Sequence, residues 1–274
     1  LKHVAICEKS PMEAVQSNIL GVNNLIQASI KNKIKKVIFT SSDKAVNPTN
    51  VMGTSKLMGE RLITAANSNK SSGSTIFAST RFGNVLGSSG SVIPIFRKQI
   101  EKGGPVTLTS TEMTRFIMSI EEAVKLIIKS AEIAKGGEVF VTKMPVVRIL
   151  DLAKVMIKEL APKFGYKPSS IKITQVGSKP GEKMYEELMS QEETRRALEV
   201  NDFFVILPAF RGIYKKIDYK YKQIKYKKIN NPYISEIEPK MSQKELGKFL
   251  KKNNLLSYSE NKEPDKRYWP GDKP

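Results

Sequence analysis

The chain is short of the residues that build disulfide staples and metal centres. It has one cysteine, Cys7, and one histidine, His3, in 274 residues. A single thiol excludes an internal disulfide framework and fits a reducing compartment. One cysteine and one histidine form no cluster at metal-ligand spacing, so no metal is expected. No apolar run approaches the roughly 20 residues that cross a bilayer, and neither a signal nor a transit peptide opens the chain. A cytoplasmic location, with no membrane segment in this chain, is the expectation. Acidic residues are also scarce, with 27 Asp and Glu against 46 Lys and Arg, for a formal charge of +19. Residues 211–274 alone carry +9 of it. Such a field attracts polyanions. No nucleic-acid-binding motif accompanies it, so solvated lysine faces are the simpler reading and no specific nucleic-acid partner is expected. Also missing are a glycine-rich dinucleotide fingerprint at the start of a helix and the acidic residue that follows it.

What is present reads as strands alternating with helices, the pattern of a parallel α/β sheet. Asn18 to Lys33 places Ile19, Leu20, Val22, Leu25, Ile26 and Ile30 at helical spacing. An apolar strand follows at Lys36–Thr40. Helices are expected over 51–67, 92–100, 120–134 and 149–160, with strands over 74–82, 105–109, 138–142 and 171–176. Ser119 with Glu122, and Ser242 with Glu245, form capping boxes that open two of the helices. Tyr214, Tyr219, Tyr221 and Tyr226 interleave with lysines. That pattern serves single-stranded nucleic acid in some proteins, but the two-residue spacing of Tyr219 and Tyr221 suits one face of a strand. The tail after Ser257 reads as disordered.

Chemistry gathers where the first strand ends in Ser41-Ser42-Asp43-Lys44, because ligands of open α/β sheets bind at the carboxyl ends of strands. Asp43 and Lys44 pair a carboxylate with an amine, the two opposite roles that a proton-shuttling elimination needs. Partial burial beside an opposite charge is expected to draw both pKa values toward neutrality. Taken alone, the pair is equally an exposed strand-end ion pair. Met52 and Lys56 lie four apart, on one face of the helix that follows.

These residues, with Asn47-Pro48-Thr49-Asn50, Arg81-Phe82-Gly83-Asn84-Val85, Met113-Thr114-Arg115-Phe116 and Lys179-Pro180-Gly181-Glu182-Lys183, resemble the extended short-chain dehydrogenase/reductases. Within that superfamily they resemble the UDP-N-acetylglucosamine 4,6-dehydratases and CapD-like polysaccharide biosynthesis proteins. The resemblance covers roughly residues 1–255. It implies an incomplete Rossmann-type parallel sheet flanked by helices, with a smaller C-terminal substrate-binding lobe. The division it suggests is 1–104 for the dinucleotide-binding part, 105–210 for the substrate lobe with some elements returning to the core, and 211–274 for a basic extension. The implied reaction is oxidation at sugar C4, elimination of water across C5–C6 and reduction at C6 by a recycled nicotinamide, NAD or NADP. Lys44 would be the C5 base, Asp43 the general acid, and Ser42 the hydrogen-bonding partner of the 4-oxygen.

By the same resemblance Lys56 holds the nicotinamide ribose, Asn18 helps to position that lysine, and Phe82 and Val85 face the nicotinamide. Asn84, Ser91, Val92, Thr107, Arg115, Lys179 and Glu182 would bind the UDP-sugar, Arg115 and Lys179 at the pyrophosphate and Glu182 at the ribose. His3 would sit beside the crevice. The chain departs from the pattern at Met52, where most relatives carry the tyrosine base and a subset of dehydratases carries methionine. It departs also at Ser89 and Lys179, where arginine is usual. Relatives often form homo-oligomers through two helices of the central segment. A UDP-sugar 4-epimerase of the same superfamily and a non-catalytic fragment with a polyanion-binding tail are the alternatives. Without a fingerprint helix to receive the pyrophosphate, these 274 residues alone are expected to bind NAD(P) weakly or not at all, which calorimetric titration of the isolated chain measures.

Overall fold

The computed structural model describes residues 1–68, 75–88, 91–177, 181–210, 214, 217–222, 224–226 and 228–257. Two short helices, α1 (Val4–Lys9) and α2 (Pro11–Val15), lead through a π turn over Gln16–Leu20 into α3 (Gly21–Lys31). One uninterrupted helix is expected here from the apolar spacing. The π turn is a local widening of the helix; it contains the buried Asn18, whose Nδ2 donates to Ser55 Oγ at 2.9 Å. Strand β1 (Lys36–Ser42) follows, then α4 (Val51–Ala65). The Asn50 side chain accepts the Gly53 N–H at 2.8 Å and so caps α4. Next come β2 (Ile76–Phe82), β3 (Asn84–Val85), α5 (Val92–Glu101), β4 (Val106–Leu108), β5 (Thr114–Met118) and α6 (Ile120–Ile133). The Ser119–Glu122 capping box is formed.

The second half adds β6 (Val139–Thr142), β7 (Val146–Arg148), α7 (Ile149–Leu160), β8 (Ile173–Gln175), β9 (Glu187–Met189) and α8 (Gln191–Thr194). It closes with β10 (Ala197–Val200), β11 (Phe203–Ile206), β12 (Ile224–Tyr226), β13 (Tyr233–Ile234) and α9 (Gln243–Lys252). The main sheet has the order β1-β2-β6-β11-β10-β12. Its first three strands are parallel, in register from Lys36 opposite Ile76 to Ser42 opposite Phe82, so the functional strand ends share one edge. The parallel pattern expected from alternation stops there, because β11, β10 and β12 run antiparallel. The two-residue turn Asn201-Asp202, with Asn201 at φ 54°, joins β10 to β11 and allows only a hairpin.

Apolar side chains of the sheet and α6, among them Phe140, Val205 and Leu126, form one core. A second core joins α5, α7 and α9 through Phe96, Leu152, Leu160, Leu246 and Leu250. Tyr219 and Tyr221 lie outside any strand, contrary to the expectation from their spacing. Their hydroxyls nevertheless reach one place, donating to Gly136 O and to Glu138 Oε1, each at 2.6 Å. These two rings tie the chain down internally, which removes them from a nucleic-acid stacking surface. The tail after Ser257 lies outside the described residues.

Beneath the sheet Arg81 is buried to 1% exposure. It meets Glu60 of α4 through Nε and Nη2 (2.9 and 2.8 Å), Glu193 of α8 through Nη1 and Nη2 (2.8 Å each) and Leu188 O (3.0 Å). Burial raises the Glu193 carboxyl, but the facing guanidinium overcomes this and holds it at about 2. Removing one partner of such a cluster leaves buried charge uncompensated, at a cost of about 3–5 kcal/mol. Arg81→Met is therefore expected to lower the free energy of unfolding, measured by urea titration, by an amount of that order. Because the Glu193 pKa is depressed on folding, its contribution is present above about pH 4.5 and is lost as pH falls toward about 2. Urea titrations of both proteins across that acid range check it.

Candidate active site

Strand β1 ends at Ser42, and Asp43-Lys44-Ala45 forms a 3₁₀ turn directly after it. The Ser42 hydroxyl accepts the Lys44 N–H at 3.3 Å and donates to Asp43 Oδ1 at 2.5 Å. Lys44 Nζ donates to Asp43 Oδ2 at 2.9 Å and Oδ1 at 3.2 Å. It also lies 3.4 Å from Glu186 Oε1. The turn fits only because position 53 is glycine. A Cβ there would stand 2.1 Å from the Lys44 carbonyl oxygen, so α4 approaches the turn at backbone distance.

Asp43 and Lys44 line a cavity of about 630 Å³, together with Asn84, Arg115, Glu182 and Glu186. A second cavity of about 420 Å³ shares Lys44, Asn84, Arg115 and Glu182 with the first and extends past Val85, Ser91, Val92 and Thr107. His3 lies on its wall, beside the crevice as expected. Ser91 Oγ is buried without a hydrogen-bond partner among the described residues, at the N-cap of α5. Thr107 is held by Gln99, whose amide donates to Thr107 Oγ1 at 2.7 Å and accepts its N–H at 3.1 Å.

Arg115 spans the wall between the cavities. Its guanidinium donates to Thr114 O (2.8 Å), Met184 O (3.2 Å) and Lys183 O (2.8 Å), and its Nε lies 3.2 Å from Glu186 Oε1. Glu182 Oε1 is 3.8 Å from it, while Glu182 Oε2 accepts the Thr109 hydroxyl at 3.2 Å.

Met52, Lys56, Asn18 and Phe82 are not among the residues that line these cavities. Met52 is 3% exposed and packs with Cys7 and Ala14. Lys56 donates to Thr40 O at 3.1 Å and lies 5.0 Å from the Phe39 ring centroid; burial lowers its pKa. Asn18 bonds Ser55, the neighbour of Lys56, and Leu1 O rather than the lysine itself. Phe82 packs against the sheet core. Lys179 lies outside the described residues.

The protonation states correct one expectation. Burial raises the Asp43 carboxyl, yet the Lys44 ammonium and hydrogen bonds from Glu186, Ser42 and Lys44 bring it below its ordinary value. Burial lowers Lys44, yet Asp43 and Glu186 carry it above the ordinary lysine value. The two pKa values are driven apart instead of meeting near neutrality, since an ion pair with a second carboxylate outweighs desolvation. The resting pair is carboxylate and ammonium.

Glu186 was not expected from sequence. It is 4% exposed, its Oε2 accepts Asn84 Nδ2 at 2.7 Å, and burial with the Asp43 charge pushes its carboxyl up to about 7. The adjacent pair Glu186-Glu187, four residues beyond Glu182, was the available signal. Nothing in linear spacing brings position 186 to position 44.

A family model described as polysaccharide biosynthesis protein matches residues 1–208. The chain belongs to this family. The resemblance to the extended short-chain dehydrogenase/reductases and their nucleotide-sugar dehydratase branch is thereby borne out. Over 208 residues the chain is 55% identical to an uncharacterized membrane protein of Methanocaldococcus jannaschii, covering 76% of this chain and 62% of that one. Over 220 residues it is 38% identical to an inverting UDP-N-acetylglucosamine 4,6-dehydratase of Campylobacter jejuni, covering 80% and 63%. Over 206 residues it is 44% identical to a UDP-glucose 4-epimerase of Rickettsia canadensis, covering 75% and 58%. The X-ray structure of Pen from Bacillus thuringiensis matches with a TM-score of 0.83 at 45% identity, over 94% of this chain and 74% of that one. The chain thus spans about three fifths of the length of these curated relatives. No helix among the described residues is long and apolar enough to cross a membrane.

Gly53→Ala is expected to push the Asp43-Lys44 turn away from α4, because the displaced atom is backbone rather than a flexible side-chain end. A crystal structure of the variant is expected to show Lys44 Nζ beyond hydrogen-bond distance of Glu186, with a loss of stability measured by urea unfolding.

Proposed function

We propose that this chain carries the acid–base centre of a sugar-nucleotide 4,6-dehydratase acting on UDP-N-acetylglucosamine or a close relative, in polysaccharide or glycoconjugate synthesis. The observation that carries the reading is the hydrogen-bonded series Ser42–Asp43–Lys44, whose Asp43 and Lys44 open into the cavity. Elimination across C5–C6 needs a base and an acid on one edge of the sugar. Epimerisation at C4 leaves C5–H untouched and has no use for such a pair.

The unmatched hydroxyl of Ser91 at the start of the ten-residue helix α5, with Arg115 on the wall between the cavities, suits the diphosphate of a nucleotide sugar. Lys56 makes one hydrogen bond, to Thr40 O, and no ion pair among the described residues, so its ammonium has donors to spare for the ribose of a nicotinamide dinucleotide. When bound, that group accepts hydride from C4 and later delivers it to C6.

Met52 offers no base for the 4-hydroxyl. Ser42 supplies a route instead: its oxygen receives the O4 proton while its own proton moves to Asp43 Oδ1, 2.5 Å away. Asp43 is then a carboxylic acid, ready to protonate the departing 6-hydroxyl. Lys44, once neutral, takes the C5 proton.

General acid and base residues contribute on the order of 10²–10⁴ in rate. Asp43→Asn and Lys44→Ala are each expected to lower formation of the 4-keto-6-deoxy product by about 100-fold or more. The experiment is NMR of products formed from UDP-N-acetylglucosamine and NAD⁺ or NADP⁺ in D₂O, using the gene's full polypeptide. Deuterium at C5 marks elimination, whereas a C4 epimer with protium at C5 would overturn this reading.

A further inference from the structure

The Asp43–Lys44 pair holds one proton too many for the elimination. Lys44 rests as an ammonium, whereas abstraction at C5 needs a neutral amine. Asp43 is occupied by the proton arriving from O4, so it has no room for the proton of Lys44. One other carboxylate oxygen lies against the ammonium, Glu186 Oε1 at 3.4 Å. We infer that Glu186 is the proton acceptor that frees the Lys44 amine, a positioning role that rests on the dehydratase reading above.

The proton count closes on this assignment. In the reactive resting form, populated as pH rises past about 7, Asp43 and Glu186 are ionised and Lys44 is protonated. As hydride leaves C4, the O4 proton passes through Ser42 to Asp43 and the 4-ketone forms. The Lys44 proton moves to Glu186, leaving a neutral amine beside two carboxylic acids. Lys44 then takes the C5 proton, the C6–O bond breaks, and Asp43 gives its proton to the leaving oxygen, so water departs. Hydride returns to C6 and the Lys44 proton to C5. Glu186 passes its proton back to Lys44, which restores the resting state, and the O4 proton has left in the water. Had Glu186 been protonated at the outset, the proton of Lys44 would have had no acceptor.

The surroundings suit a proton acceptor of fixed position. The Glu186 N–H donates to Ser235 Oγ and its carbonyl accepts the Ser235 N–H, both at 2.9 Å, and Ser235 Oγ bonds Thr114 Oγ1 at 2.9 Å. Asn84 fixes Oε2 at 2.7 Å and leaves Oε1 toward the ammonium. The charged groups that face Glu186 are Asp43 and Lys44 from the end of β1 and Arg115 from β5, with Glu182 behind Arg115. Lys183 and Glu187 pair with each other at 3.0 Å and turn to Val46 O and Asn47. Protonation of Asp43 removes one of the two charges that keep Lys44 an ammonium. A single ion pair remains between half-buried Lys44 and buried Glu186, and burial of the carboxyl favours its neutral form. With a carboxyl near 7, Glu186 is ionised on the alkaline side and loses its capacity to accept as pH falls.

Glu186→Gln keeps the shape and one acceptor oxygen, gives up the hydrogen bond at its amide nitrogen, and cannot take a proton. In the cofactor-loaded full polypeptide with UDP-N-acetylglucosamine in D₂O, the variant is expected to oxidise C4 within about threefold of wild type, while C5 deuterium exchange and product formation fall about 100-fold or more. Wild-type turnover is expected to drop about tenfold per unit below about pH 7. Exchange in the variant within threefold of wild type, or a wild-type profile flat through that range, would overturn the role of Glu186 alone. Absence of any 4-keto product from wild type would strike the dehydratase reading itself and this inference with it. A measurement independent of turnover and of the variant is ¹³C NMR titration of carboxyl-labelled glutamate in the isolated chain. One carboxyl titrating near 7 is expected, and none titrating between about pH 6 and 8 would overturn the assignment.

Discussion

An ammonium group held between two buried carboxyl groups, at the tip of a parallel strand, dictates how the surrounding segments meet. Taking such ions out of water costs several kcal/mol each unless every charge finds an opposite charge and every polar atom a partner. Lys44 satisfies Asp43 and Glu186, Arg115 satisfies Glu186 again, and Asn84 takes its remaining oxygen. Residues from the end of β1, from β3, from β5 and from the segment ahead of β9 are thereby held at one point. Arg81 repeats the device below the sheet, where it binds Leu188 O and Glu193 from the far end of the same segment. Residues 182–193 are thus pinned by charge at both ends, with Leu188 and Met189 packed into the apolar core between them.

The basic C-terminal part belongs to this construction. Residues beyond 208 lie past the family match, yet Ser235 bonds both main-chain groups of Glu186. Tyr233 donates to Met144 O and accepts its N–H, and its ring packs on Phe116 and Phe204 at centroid distances of 4.6 and 5.1 Å. Strand β13 pairs with β9 and so sets the height at which Glu186 enters the cavity. The excess of lysine in this region decorates a segment whose buried residues serve the site. A surface-binding role is not needed to explain its presence.

Much of this was legible in the sequence wherever the signal was local. The capping boxes at Ser119 and Ser242, the helices over 92–100 and 149–160, and the strand end carrying Asp43-Lys44 follow from short-range chemistry that the fold preserves. The antiparallel half of the sheet was not legible, because four-residue apolar runs such as Phe203–Ile206 carry no direction; the Asn201-Asp202 hairpin sets it. Glu186 was missed because its role depends on a contact 142 positions away in the chain. The protonation of the Asp43–Lys44 pair was misjudged in part for the same reason. Two neighbours seen in isolation suggest mutual moderation, whereas each holds the other ionised, and Glu186, delivered by tertiary structure, raises Lys44 further.

Met52 can be understood from the same proton count. It sits 3% exposed against Cys7 and Ala14, where a thioether packs without penalty and a phenol hydroxyl would need a partner. Under the proposed reaction, a tyrosine base at this position would compete with Ser42 for the O4 proton. Asp43, held as a carboxylate by Lys44 and Ser42, would then have no acid proton to give at C6. Sending the O4 proton through Ser42 instead both removes it from the sugar and converts Asp43 into the acid that the next step uses. A methionine at position 52 leaves that route without a competitor. The substitution that looks like the loss of a base is therefore consistent with a site that collects its acid proton from the substrate it oxidises.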